Sequence, residues 1–266
     1  MTYGFIGTGN MGGALARALV REVSPLDVYL NNRTPAKAEA LAAELGARAD
    51  TAAHIAAACD YIFLGVKPNL IAGVLAQLAP TLAQRTDKPV LVSMAAGVTI
   101  AALEQAAPGC PILRIMPNTA CAVGAGLTLY DANALLTKPQ LDAFLTDMAA
   151  SGRLEALPEH LIDAGSAVSG CGPAYVYLFL DALANGGVAC GLRYDQALAL
   201  AAQTLIGAAG TALTSGKHPG KLQAEVCSPA GTTIAGVRTL EQRGFRAAAM
   251  NAVIAAYEKN RDLKNA

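Results

Sequence analysis

The sequence predicts an α/β fold: a doubly wound parallel sheet in the N-terminal half, followed by an all-helical dimerisation domain. Three observations carry this expectation. Short apolar runs alternate with helical patterns through residues 1–157, as crossover helices on a parallel sheet require. The first run enters a Gly-x-Gly-x-x-Gly turn, Gly7-Thr8-Gly9-Asn10-Met11-Gly12, and an Ala-rich helical pattern leaves it. Beyond Pro158 the strand patterns stop and long apolar helical patterns take over, so residues 158–266 form the second expected domain.

The first strand runs up to Ile6 and the first helix is expected from Ala14 to about Arg21. Between them each glycine has its own job in a dinucleotide site. Gly7 permits the tight turn, Gly9 lets the backbone approach a pyrophosphate, and Gly12 brings the helix close to the strand. Ile6, Thr8, Asn10 and Met11 complete this Rossmann cradle, and the helix start aims free N–H groups at the anion. Residues 27–31 read as the second strand. An acidic residue about 20 positions past the glycines would hold the ribose of NAD. Here Asn31-Asn32-Arg33-Thr34 stands instead. No carboxylate repels a 2′-phosphate, the planar donors of Arg33 can bind one, and Asn32 and Thr34 flank it. NADPH is the expected cofactor, with NADH as the alternative. An ordinary polar turn, with Thr34 as N-cap before Pro35, explains the same residues, and both can hold.

Helices follow over 35–45 and near 51–58. The unbroken apolar run 60–66 reads as a buried strand ending in Val66-Lys67-Pro68, at the carboxyl edge where ligands bind in such sheets. Lys67 is either a solvated loop residue or a cofactor contact. A helix over 69–82 leads to a strand over 90–93. The small loop Met94-Ala95-Ala96-Gly97 then lets the nicotinamide half of a cofactor lie against backbone. A strand over 112–116 ends in Pro117-Asn118-Thr119. Two more strands, 127–130 and 153–157, flank a helix from 139 to about 151.

The bulk numbers exclude several classes. Apolar residues make up 53% of the 266 and charged ones 15%, so a large core is assured and disorder is not expected. Lys+Arg and Asp+Glu are 20 each, with no basic run, so no nucleic acid partner is expected. Cys59, Cys110, Cys121, Cys171, Cys190 and Cys227 are scattered. With His54, His160 and His218 they offer no metal-ligand spacing, so no metal is expected. Free thiols fit a reducing cytoplasm. A strand beginning at once leaves no room for a signal peptide. The run from Ala197 to Leu213 is dense in Ala and Gly and carries Gln203, Thr204 and Thr211, so it reads as a helix buried in protein and not as a membrane span.

In the second half, helical patterns cover 173–188, 194–214, 221–226 and about 232–261. The first two are apolar on nearly all sides. So small a unit cannot cover them alone, and a homodimer is expected.

The chain resembles the pyrroline-5-carboxylate reductases along essentially its whole length. The matching stretches are Phe5 to Met11, Val66-Lys67-Pro68, Ala95-Ala96-Gly97 and Arg114 to Thr119. In the helical half they are Gly170 to Tyr175, Asp181 to Val188, and Ser228-Pro229-Ala230-Gly231-Thr232-Thr233-Ile234. Cys171, Ala120 and Ala230 depart from the family's usual Ser, Pro and Gly. The resemblance implies hydride transfer from NAD(P)H to the cyclic imine that becomes proline, and a homodimer that can assemble into a ring of dimers. It also implies that Ser228, Gly231, Thr232 and Thr233 bind substrate, with Thr233 facing the imine nitrogen, and that Glu159 sits near substrate.

The chemistry agrees without the name. An alcohol dehydrogenase needs a base such as His or Lys. No Lys occurs between Lys138 and Lys217, and Lys217-His218-Pro219-Gly220 reads as a turn. A protonated imine already carries the charge that draws a hydride, so an anion anchor and one acceptor suffice. The loop 228–233 supplies hydroxyls and a helix start. Its plain alternative is a helix cap with Thr232 or Thr233 at the N-cap. Two other functions stay open: a non-catalytic NADPH-binding sensor, and a related imine or hydroxyacid reductase.

Overall fold

The computed structural model describes residues 1–264. Eight strands form one sheet: β1 (Tyr3–Ile6), β2 (Val28–Asn31), β3 (Arg48–Ala49), β4 (Tyr61–Leu64), β5 (Val90–Ser93), β6 (Ile112–Met116), β7 (Gly126–Ala132) and β8 (Gly152–Ala156). Their order is β3-β2-β1-β4-β5-β6-β7-β8, and the ladder is parallel except between β6 and β7. The chain reverses its direction of travel across the sheet between β1 and β4, which opens the crevice where a dinucleotide binds.

Successive strand residues feed opposite faces of this sheet. Phe5, Leu30, Phe63, Val92 and Leu113 pack on one side with α1 (Asn10–Leu19), α2 (Pro35–Leu45) and α6 (Lys138–Asp147). Ile6, Ile62, Leu64, Leu91 and Ile112 pack on the other with α3 (Ala52–Ala58), α4 (Ile71–Gln84) and α5 (Ile100–Ala106). Burial on both faces is why the strands read as unbroken apolar runs. Registered pairs Tyr3/Tyr61 and Phe5/Phe63 stack at 5.2 and 4.3 Å between ring centroids. Each such pair adds about 0.5–1.5 kcal/mol beyond its burial.

Residues beyond Ala156 are helical: α7 (Glu159–Ser169), α8 (Gly172–Ala189), α9 (Tyr194–Ser215), α10 (Pro219–Val226), α11 (Thr232–Gln242) and α12 (Phe245–Lys264). The single helix expected over 232–261 is two, parted by Gly244 at φ +72°, a left-handed conformation that ends a helix. Of the stretch 217–220, expected as a turn, Pro219 and Gly220 already belong to α10, and His218 is its N-cap, with Nδ1 accepting from the Gly220 N–H at 3.1 Å. β3, α5 and α7 were not anticipated.

Two compact units emerge, Met1–Cys171 with the chain from Ala256, and Gly172–Ala255. Compared with the expected boundary at 157/158, α7 and the end of α12 group with the sheet. In the second unit α8 and α9 bury only Ala184, Ala197 and Ala201, while Leu178, Ile206 and Leu213 are 75%, 66% and 77% exposed. The stretch Glu159–Ala189 and α9 are also long and apolar enough to cross a membrane by length and composition alone.

Candidate active site

At the carboxyl edge of the first unit, Gly7 turns the chain at φ +101°. A Cβ on Gly12 would lie 2.2 Å from the Gly7 carbonyl oxygen, and one on Gly65 would lie 2.3 Å from that same atom. Close helix-to-turn packing thus uses Gly65 after β4 as well as Gly12, a partner the glycine motif does not reveal. Gly9 is the N-cap of α1 with no side-chain bond, and a Cβ there would meet open space. The helix start therefore faces outward with its N–H groups free for an anion. Beside it the Thr8 hydroxyl oxygen is buried without a partner. A cleft of about 480 Å³ opens here, lined by Thr8, Gly9, Asn10, Arg17, Asn32 and Lys37 among others. An orphaned hydroxyl, open space at Gly9 and an uncapped helix start fit a dinucleotide phosphate.

Beyond β2 the chain runs past this cleft, and Asn32 lines it while Asn31, Arg33 and Thr34 do not. Asn31 is held by its side chain, which donates to the Asp50 carbonyl at 2.8 Å, and by its own carbonyl, which accepts from the Gly7 N–H at 2.9 Å. Arg33 and Thr34 follow, both exposed, and Arg33 has no partner among the described residues. Thr34 is the N-cap of α2, yet its hydroxyl makes no cap bond. Thr34 thus takes the expected N-cap position without the cap bond, which leaves its hydroxyl free. Arg17 and Lys37 were missed by sequence reasoning. Lys37 stands four residues past Arg33 and lines the same cleft. Arg17 is already engaged, forming two 2.7 Å bonds to Glu44 that hold the Glu44 carboxyl below its usual range.

Val66, Lys67 and Pro68 follow β4, with Lys67 exposed. Ala95, Ala96 and Gly97 follow β5. Ala95 is buried, Ala96 exposed, and Gly97 sits at φ +77°. Met11 packs inward, its sulfur 4.0 Å from that of Cys121. The Asn118 side chain is engaged at both its nitrogen and its oxygen. Its Nδ2 donates to the Ser169 carbonyl at 3.0 Å, and its Oδ1 accepts from the Ala120 and Leu127 N–H groups at 3.2 and 3.3 Å.

Glu159, expected near substrate, has its carboxylate committed inside the first unit. Its Oε1 accepts from Arg114 at 3.0 Å and from the Ile100 N–H at 2.7 Å.

In the second unit, Ser228 to Gly231 form a turn closed by the Gly231 N–H donating to the Ser228 carbonyl at 3.1 Å. Ala230 occupies φ +57°, the one non-glycine residue at positive φ among those described. Gly231 is the N-cap of α11 and makes no side-chain cap bond. The cap reading of Thr232 or Thr233 is thereby corrected: both lie in the first helical turn, exposed, with hydroxyls that bond nothing among the described residues. Lys217, just before α10, is tied to Glu225 at 2.8 Å.

Comparison with known proteins gives the lineage. Residues 159–263 match the family model "Pyrroline-5-carboxylate reductase dimerisation", and residues 2–97 match "NADP oxidoreductase coenzyme F420-dependent". The chain is 39% identical to pyrroline-5-carboxylate reductase of Pisum sativum over 98% of its own length and 96% of that protein's. It is 39% identical to that of Escherichia coli K12 over 98% and 97%. The solved structure of Plasmodium falciparum pyrroline carboxylate reductase with NADP bound superposes with a TM-score of 0.87 at 29% identity, covering 99% of this chain and 98% of that one. With its glycine turn and its Ser228–Thr233 loop in place, the chain belongs to the pyrroline-5-carboxylate reductase family.

Proposed function

We propose that this chain reduces 1-pyrroline-5-carboxylate to L-proline, the last step of proline biosynthesis, with NADPH as preferred donor and NADH as the weaker one. When bound, NADPH supplies a hydride to the imine carbon. The glycine turn and the N–H groups of Asn10 and Met11 hold its pyrophosphate. Asn32, Arg33 and Thr34 take the 2′-phosphate, and Val66–Pro68 and Ala95–Gly97 line the path to the nicotinamide.

The observation that carries the substrate reading is the uncapped start of α11. Its Thr232 and Thr233 N–H groups favour a carboxylate through direct donors and the helix dipole, while the Gly231 N–H is taken by the Ser228 carbonyl. The free Thr233 hydroxyl accepts from the iminium N–H and turns the imine carbon toward the donor. Ser228 braces the loop. Such a site needs no strong base, in keeping with Lys217 being ion-paired. The cytoplasm is the proposed compartment, and a homodimer, assembling further into a ring of dimers, the proposed form.

Thr233→Val keeps shape and removes the acceptor. A hydrogen bond to a charged group is worth about 1.5–3 kcal/mol, so kcat/KM for the imine should fall roughly ten- to a hundredfold with NADPH binding unchanged. Steady-state kinetics with both substrates varied read this directly. An unchanged kcat/KM would place the substrate elsewhere.

A further inference from the structure

We infer that Glu159, oriented by Arg114, is a positioning residue for hydride transfer: it fixes the exit of the Met94–Val98 loop from beneath the nicotinamide. The inference rests on the reading above that this loop lies at the nicotinamide ring.

The loop has little to hold it internally. The Val98 N–H reaches the Ala95 carbonyl at 3.4 Å, and the Ala95 N–H reaches the Ser93 hydroxyl at 3.4 Å, both long for hydrogen bonds. Its place is therefore set by its two ends, β5 at the entry and the first turn of α5 at the exit. Thr99 caps α5 by accepting from the Ala102 N–H at 3.1 Å, and the Ile100 N–H is taken by Glu159 at 2.7 Å. That carboxylate belongs to α7, 59 residues away in the chain.

Two bonds hold Glu159 in turn, and their partners are neighbours in the sheet. Its Oε1 sits 3.0 Å from Arg114 Nη1, its own N–H donates to Asp131 Oδ2 at 2.6 Å, and Arg114 and Asp131 face each other across the β6/β7 ladder. Arg114 is fully buried and also pairs with Asp163 at 3.3 Å. One guanidinium thus faces two carboxylates. Asp163 alone neutralises Arg114, so charge balance does not require Glu159. What Glu159 adds is the bond to Ile100. At its other end α7 takes the Asn118 amide on the Ser169 carbonyl, so one helix grips the segments that leave both β5 and β6 at the carboxyl edge.

Donor-to-imine geometry is steep in its effect on rate: a misplacement of about 1 Å costs on the order of a hundredfold. The test uses the intact enzyme well below its unfolding temperature, with NADPH deuterated at the transferred position. Glu159→Ala should lower kcat/KM for the imine roughly ten- to a hundredfold and raise the deuterium isotope effect as hydride transfer becomes limiting. Glu159→Gln keeps an oxygen for the Ile100 N–H and should recover most of the loss. Ile100→Pro removes that N–H at a first helical position where proline is tolerated, but also a buried isoleucine side chain, so it is read against Ile100→Ala, which keeps the N–H: the proline variant should reproduce the Glu159→Ala result and the alanine variant should not.

A fall in thermal stability with kcat/KM and isotope effect unchanged would overturn the inference, as would equal impairment by Gln and Ala. Ala96→Leu, at an exposed position on the loop, separates this failure from that of the underlying reading. If it leaves NADPH binding and turnover intact, the loop is not at the cofactor and both fail. If it blocks them while Glu159→Ala is silent, only the positioning role fails.

Discussion

Arg33 shows what a single side chain decides here. It stands exposed at the end of β2, unpaired among the described residues, where a dinucleotide's ribose arrives. Only NADPH carries the phosphate it would bind, so Arg33→Ala should weaken NADPH by about 1.5–3 kcal/mol, roughly ten- to a hundredfold, and leave NADH nearly unchanged. Titrating both cofactors by fluorescence checks this, and equal weakening would remove the role. The exposed place of Arg33 after β2 was legible because its position relative to the glycines is set by the crossover itself. Lys37 and Arg17 were not, since reaching the cleft beside Gly9 depends on which way α1 and α2 face. Arg114 and Glu159 were least legible. Nothing local in a strand residue and a helix residue 45 positions apart announces that they meet.

Among elements, the strand-to-helix turn carries the tightest constraint. Gly65→Ala would set a Cβ 2.3 Å from the Gly7 carbonyl oxygen, backbone that cannot swing aside. Overpacking of this kind costs about 1–3 kcal/mol, and here it pushes the phosphate turn out of shape. Denaturant unfolding should show that loss together with weakened NADPH binding; full stability with normal affinity would mean that the turn tolerates a shift. The long buried strands and helices were readable from apolar runs and caps, with Val90–Ser93, Ile112–Met116 and Pro35–Leu45 matching residue for residue. β3 escaped because two residues make no pattern, and α5 because seven residues span only two turns. α7 escaped because it follows Pro158 directly and reads as a connector. The break at Gly244 was missed because a lone glycine inside a helical pattern is often tolerated.

For the whole molecule, the unfinished feature is the second unit. Leu178, Ile206 and Leu213 on α8 and α9 are left open, in a region matching a dimerisation family. Burying a leucine-sized side chain is worth about 1.5–3 kcal/mol, so a second copy covering such helices is strongly favoured. Sedimentation at working concentration should show a dimer or a higher assembly, and a stable, active monomer would refute the shared helical core. The central claim, that both units serve reduction of a cyclic imine, is tested most directly by following the hydride. With NADPH deuterated at the transferred position and pyrroline-5-carboxylate as acceptor, one proline should form per NADPH consumed, and the label should appear on the former imine carbon. Tight NADPH binding with no oxidation and no labelled proline would contradict the account and leave a nucleotide sensor in its place.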